Sequence, residues 1–148
     1  MKNVEKLNAY LANVAVLIIK LHNLHWNVEG RQFHSIHTYT ETMYDEFFEK
    51  YDSVAELIKM NGDSPLVRMS DYLKVATVKE LEGKAFTPTE VLDTILADLK
   101  LMSEDAKAIR SLADEADQFD VVSEMEDHLA YYSKQIWFIK ATLKGCDC

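Results

Sequence analysis

Apolar residues recur every three to four positions along four long stretches of this chain, the period of a helix with one buried face. The first stretch runs from about Val4 to Glu29, with Leu7, Leu11, Val14, Ile18, Leu21 and Val28 on its stripe and Gly30 to stop it. The second runs from about Phe33 to Asn61 and ends at Gly62; its stripe is Ile36, Met43, Phe47, Val54 and Ile58. The third opens on Thr87-Pro88-Thr89-Glu90, a capping box with proline at the first helical position. It continues through Leu92, Ile95, Leu99, Met102, Ile109 and Leu112. The fourth runs from near Gln118 to about Leu143, with Val122, Met125, Leu129, Tyr132, Ile136 and Ile139 predicted to face inward. Between the second and third lies a long link, residues 62–87, in which Ser64 as cap and Pro65 at the first position predict a short helix.

Helices of roughly 24–29 residues joined mostly by short connections make a four-helix bundle. One long link between the second and third helices carries the chain along the bundle, which is the ferritin-like connectivity. The expected fold is therefore all-α, a ferritin-like four-helix bundle in a single domain over residues 1–148, with one long crossover carrying a short helix.

Composition narrows the function classes. Hydrophobic residues make up 48% of the 148, ordinary for a globular domain, and only 4 Gly and 2 Pro interrupt the helices. The apolar run Val14–Ile19 ends at Lys20, short of the roughly 18 residues of a membrane span. The N-terminal Met1-Lys-Asn-Val-Glu-Lys lacks the basic-then-apolar layout of a secretory leader, so the chain reads as cytoplasmic. A net charge of −9 opposes phosphate binding and favours small cations. Both cysteines, Cys146 and Cys148, sit in the last three residues, which excludes a disulfide framework.

The chemistry concentrates on the second helix. His37 and Glu41 are one i,i+4 step, Asp52 and Glu56 are another, and all four fall within an arc of roughly 100°. Glu41 and Asp52 are eleven residues apart, about 16 Å along the axis, too far for one metal ion whose ligands lie within about 2.6 Å. Two copies resolve this. Residues 37 and 56 average 46.5, as do 41 and 52, so an antiparallel partner crossing there sets His37 opposite Glu56 and Glu41 opposite Asp52. That face lies about 140° from the helix's own core stripe and carries Phe48, with Tyr44 and Tyr51 at its edge. The competing reading of the same charges is a solvated surface. Aromatics among them point instead to an interface.

On the first helix His25 lies on the apolar stripe, which predicts burial, either as a hydrogen-bonded core residue or as a ligand. His22 and His34 read as structural or surface groups, and Trp26, Trp137 and the methionines as packing. No Glu-x-x-His step occurs anywhere, although ferritin-like di-iron bundles use two of them; Glu124 and His128 are four apart. A metal centre in this chain is therefore expected at a subunit interface.

The segment His22-Asn-Leu-His25-Trp26-Asn27-Val28-Glu-Gly30-Arg-Gln-Phe33-His-Ser-Ile-His37, followed by Glu41, Tyr44, Asp52, Ala55 and Glu56, closely resembles the Dps family of mini-ferritins. The likeness extends over essentially the whole chain, including Gly62-x-Ser64-Pro65 and Ile136-Trp137. It implies a hollow homo-dodecamer with iron-oxidising centres at its two-fold interfaces. By matched position, His25, His37 and Glu41 come from one chain and Asp52 and Glu56 from its partner. Iron would be both substrate and cargo, and hydrogen peroxide the preferred oxidant. Trp26 would lie near the centre. The acidic run between Ser111 and Ser133 holds seven carboxylates and no Lys or Arg. It reads either as a solvated turn and helix start or as the family's acidic three-fold pore, with Asp117, Asp120 and Glu124 as candidates. Two departures stand out. Glu41 occupies a position that is most often Asp in the family. A Lys-rich tail is also missing: the N-terminal region holds only Lys2 and Lys6, and the end is Lys144-Gly-Cys-Asp-Cys148, which argues against direct DNA binding. Two other function classes remain open to the sequence, a DNA-compacting protein and a cage-forming interaction protein with weak ferroxidase activity.

Overall fold

The computed structural model describes residues 3–145, so Lys2, Cys146 and Cys148 lie outside the described residues. Five helices account for most of them: α1 (Val4–Asn27), α2 (Phe33–Met60), α3 (Met69–Val75), α4 (Pro88–Glu115) and α5 (Phe119–Leu143). The all-α expectation holds; among the described residues the only β-type pairing is an isolated bridge between Val28 and Phe86. The chain divides into two compact units, Met1–Pro88 and Thr89–Cys148.

In the first unit α1 and α2 form a helical hairpin joined by residues 28–32. Leu7, Leu11, Val14, Ile18, Leu21 and Val28 are all buried, as are Ile36, Met43, Phe47, Val54 and Ile58, so both predicted stripes face inward. Each such side chain contributes about 1.5–3 kcal/mol when fully removed from water. By length and composition α1 also qualifies as a membrane span, which its short apolar run did not lead us to expect, yet 67% of that window is buried inside the protein. Its apolarity is accounted for by the core it enters.

The termini of both helices have identifiable causes. α1 stops two residues earlier than its pattern predicts, because Val28 turns extended (φ −65°, ψ 138°) and the chain pairs with the end of the crossover. Phe86 N–H donates to the Asn27 carbonyl at 3.0 Å and Glu29 N–H to the Phe86 carbonyl at 2.9 Å. α2 ends in a Schellman motif: Gly62, at φ +88°, donates to Lys59 O at 3.0 Å while Asp63 donates to Ile58 O at 3.1 Å.

The short helix of the crossover is misplaced by the sequence pattern. Ser64 and Pro65 do not start it; α3 begins at Met69. The reason is tertiary. Asn8 on α1 accepts the Leu66 N–H at 2.8 Å and donates to the Ser64 carbonyl at 3.3 Å, holding residues 64–66 open. Asn13 then accepts from Thr77 and Val78 N–H (2.8 and 3.0 Å), and Asn23 donates to Leu81 and Glu82 carbonyls (3.1 and 3.2 Å). The crossover thus follows α1 in the same direction, tied by three asparagines of that helix that satisfy backbone groups a loop would otherwise leave to water.

In the second unit α4 begins at Pro88, as its capping pattern predicts, and is followed by a tight turn into α5. The turn is again a Schellman type, with Gln118 donating to Ala113 O at 2.9 Å, but Asp117 rather than glycine occupies the left-handed position at φ +55°. α4 buries Leu92, Ile95, Leu99, Met102 and Ile109 as expected, while Leu112 is half-buried. On α5 the inward stripe is rotated from the predicted one. Val121, Met125, His128, Tyr132 and Ile139 are buried, whereas Val122, Leu129 and Ile136 are half-buried. Two runs of adjacent apolar residues, Val121-Val122 and Ile136-Trp137-Phe138-Ile139, let either face pass for the inner one. Four expected packing residues are exposed: Trp26 (67%), Met60 (67%), Met69 (70%) and Trp137 (64%).

Candidate metal centre

The five-residue link between α1 and α2 brings the last turn of one helix against the first turns of the other. His25 and His37 meet there with near-parallel rings, centroids 3.6 Å apart and 13° between planes. Each is held by the other's backbone. His25 Nδ1 lies 2.6 Å from the His37 carbonyl, and His37 Nδ1 lies 2.8 Å from the His25 carbonyl. A carbonyl only accepts, so both Nδ1 atoms carry a proton, and in the neutral imidazole the lone pair is then on Nε2. That is the tautomer a metal-binding imidazole needs, set by the outer-sphere bond.

Thr40 completes the brace. Its Oγ1 is 3.0 Å from His25 Nδ1 and 2.9 Å from the Ile36 and His37 carbonyls, and the residue is fully buried. Its hydroxyl proton goes to a carbonyl, so its oxygen accepts from His25. His25 itself is only 5% exposed. Burial pushes its pKa below the ordinary 6.5, assisted by the adjacent His37 ring and opposed by the hydrogen bond to the His37 carbonyl. The imidazole therefore stays neutral to lower pH than a free histidine.

Aromatic rings surround this pair. His22 stacks on Tyr44 (3.9 Å, 19°), Tyr44 sets its ring edge-on to His25 (5.3 Å), and Phe33 stacks on His37 (5.0 Å). His22 is fixed by a 2.6 Å bond from Nδ1 to the Ile18 carbonyl and lies 5.6 Å from the Trp26 ring. His22 therefore belongs to the wall of the site, a role its spacing did not single out. Trp26 is 67% exposed, so it is not the packing residue expected. His34 is at the surface, as expected. Glu41 lies one turn past His37, exposed, and its Oε1 is 3.4 Å from the Tyr44 hydroxyl. Thr40 was missed in the sequence; its only signal there is that it sits three residues after His37 on the inner side of α2.

The other two carboxylates are elsewhere on the same helix. Asp52 and Glu56 are both exposed, more than ten residues beyond Glu41. Phe48, between the two pairs, is 48% exposed, while the Tyr51 hydroxyl turns to Tyr72 of α3 at 2.7 Å. The structure brings His25 and His37 together, with Glu41 linked to them through Tyr44, and does not bring Asp52 or Glu56 there. Among the described residues, no three His, Cys, Asp or Glu side chains of one chain are grouped to hold a metal ion.

The acidic run has partly local uses. Arg110 pairs with Asp114 (3.5 Å) and Glu126 (3.2 Å). Glu124 Oε1 is 3.1 Å from Nε2 of the buried His128, and Asp120 Oδ1 accepts the Val121 N–H at 2.9 Å at the start of α5. Asp117 holds the left-handed turn position described above.

Comparison with known proteins places these features in context. The family described as a ferritin-like domain matches residues 4–148. The DNA protection during starvation protein of Helicobacter pylori is 35% identical over 143 residues, 97% of this chain and 99% of that protein. Among solved structures, a Dps protein from Bacillus brevis is 32% identical with a TM-score of 0.92, covering 97% of this chain and 96% of that one. A Dps protein from Vibrio cholerae O1, described as a member of a broad superfamily of ferritin-like diiron-carboxylate proteins, is 27% identical with a TM-score of 0.92, covering 97% and 89%.

Proposed function

Because the chain belongs to the Dps family of ferritin-like proteins, we propose that it is an iron-storing mini-ferritin whose ferroxidase centres are each assembled from two subunits. His25, His37 and Glu41 come from one subunit and Asp52 and Glu56 from the other, twelve chains forming a hollow homo-dodecamer and each chain a single domain over residues 1–148. The observation that carries this reading is the reciprocal brace of His25 and His37, which engages both Nδ1 atoms and leaves both Nε2 atoms outside it, while among the described residues no three candidate ligands are grouped to close a site.

Fe(II) suits this donor set, since it accepts imidazole together with carboxylate, and the carboxylates stabilise the more highly charged Fe(III) product. The oxidant in this reading is hydrogen peroxide. Two Fe(II) each give one electron, the O–O bond breaks, and two protons are taken up, leaving two Fe(III) and two waters. Paired one-electron donation avoids releasing a hydroxyl radical. In this reading Asp52 and Glu56 anchor the cations electrostatically, Glu56 being the candidate bridge between them, while the two histidines orient them. Trp26 lies at the rim of the site. The ferric product then moves to the cavity and mineralises. Asp117, Asp120 and Glu124 are candidates for an acidic way in for Fe(II), which the net charge of −9 also favours. Protection of DNA follows from removing iron and peroxide in the cytoplasm, without direct DNA binding.

Fe(II) added without oxygen and followed by peroxide tests this. Wild-type protein is expected to give ferric absorbance at two iron per peroxide. An Asp52→Ala, Glu56→Ala double variant, both sites exposed and harmless to the fold, is expected to lose more than about 100-fold in rate, beyond the loss seen for outer-sphere partners. Unchanged kinetics in the double variant would sink the site.

A further inference from the structure

We propose that Tyr44 is a positioning residue for the Glu41 carboxylate, and that the ring stack His22–Tyr44 is what holds it ready; this rests on the metal-centre reading above. Glu41 is an exposed side chain with three rotatable bonds, and nothing about its place on α2 fixes where its carboxylate lies. The Tyr44 hydroxyl, one turn on, is 3.4 Å from Oε1. That is long for a bond from a hydroxyl to a carboxylate, in the range of contacts that tighten once a cation draws the carboxylate in. It engages one oxygen and leaves Oε2 to a metal.

Tyr44 can do this because its own ring is immobilised on two sides. His22 covers one face at 3.9 Å and is itself pinned through Nδ1 to the Ile18 carbonyl at 2.6 Å. His25 meets the ring edge-on at 5.3 Å, which ties the tyrosine to the same histidine that faces the metal. Phe48 closes a further side at 6.2 Å. The chain of contacts therefore runs from α1 backbone to His22, to Tyr44, to Glu41. A hydrogen-bonded carboxylate ligand of this kind typically loses 10–100-fold in metal affinity when its outer partner is removed.

The test is a double-mutant cycle on the assembled protein with Tyr44→Phe, Glu41→Gln and the pair, read by anaerobic Fe(II) titration and by peroxide-driven oxidation. Tyr44→Phe keeps the stacked ring and removes only the hydroxyl. It is expected to weaken Fe(II) binding and raise KM for Fe(II) about tenfold while kcat stays within about twofold, and to add nothing on top of Glu41→Gln. Co(II) bound at the centre is expected to show a changed visible spectrum in Tyr44→Phe, a signature that loss of packing alone would not produce. If Glu41→Gln weakens binding and Tyr44→Phe does not, or if the two losses simply add, the positioning role is overturned and the centre stands. If Glu41→Gln is itself silent, Glu41 is no ligand, and both the role of Tyr44 and this part of the centre fall.

Discussion

The two ends of α2 carry different candidate ligands and hold them in opposite ways. At the N-terminal end every side chain of interest has a partner in its own chain: His37 with the α1 backbone, Thr40 with His25, Tyr44 with His22. At the C-terminal end Asp52 and Glu56 stand exposed. The difference teaches what each end is for. Neutral nitrogen ligands need a fixed tautomer and direction, and only buried, short hydrogen bonds supply them. Carboxylates need neither, and in the proposed centre their exposure would avoid the cost of burying paired negative charge before a cation and a second subunit arrive.

The sharpest way to break this comparison is to separate the two ends genetically. Chains carrying His25→Ala and His37→Ala have only the acidic end; chains carrying Asp52→Ala and Glu56→Ala have only the braced end. Each alone is expected to be inactive. Refolded together at equal amounts, random pairing makes half of the two-fold pairs mixed, and each mixed pair rebuilds one of its two centres. Peroxide-driven iron oxidation should return to about a quarter of wild type. No recovery in co-assembled material would mean that the ends do not meet across subunits.

A smaller change sharpens the braced end alone. Thr40→Val keeps shape but removes the acceptor and donor in a fully buried place, leaving part of the His25 Nδ1–H bonding unsatisfied. Chemical denaturation is expected to show a loss of about 1–3 kcal/mol, with Fe(II) affinity down roughly 10-fold. The corresponding removal at the other end, Asp52→Ala, is expected to leave stability within about 0.5 kcal/mol, as for exposed sites generally.

The smallest effect is a pH slope. The His25 pKa is lowered in the folded protein, so below the unfolded value of 6.5 the unfolded chain binds the extra proton and the folded one does not. Stability is therefore unaffected by this group above pH 6.5 and declines as pH falls below it, until the folded imidazole also protonates. Urea midpoints from pH 7 to 5 should fall more steeply in wild type than in His25→Gln. Identical slopes would show that burial of His25 does not hold it neutral.

Much of the fold was legible in the chain. The 3.6-residue stripes placed α1, α2 and α4, and Gly62 and Pro88 punctuated the latter two, because these are local signals that tertiary contacts rarely reverse; the end of α1 was set two residues early by its pairing with Phe86. α5 was read with the right length and a partly rotated face, since its paired apolar residues fit two stripes: Met125, Tyr132 and Ile139 are buried as expected, while Val122, Leu129 and Ile136 are half-buried. The start of α3 was misread because Asn8, some 58 residues away in the sequence, decides it. In the candidate centre, the mirror spacing about residue 46.5 offered the carboxylates and His37 as a candidate set, and burial of His25 followed from its stripe.

What the chain alone determined, then, is which residues share a helix face and how far apart they lie, because helical geometry converts sequence separation directly into angle and rise. What only the tertiary structure decided is chemical state. The protonated Nδ1 and open Nε2 of both histidines, the acceptor role of Thr40 and the hold of His22 and Tyr44 on Glu41 all depend on atoms of α1 meeting atoms of α2. No periodicity encodes which carbonyl a ring nitrogen will find, and that choice fixes which nitrogen of each ring is left open.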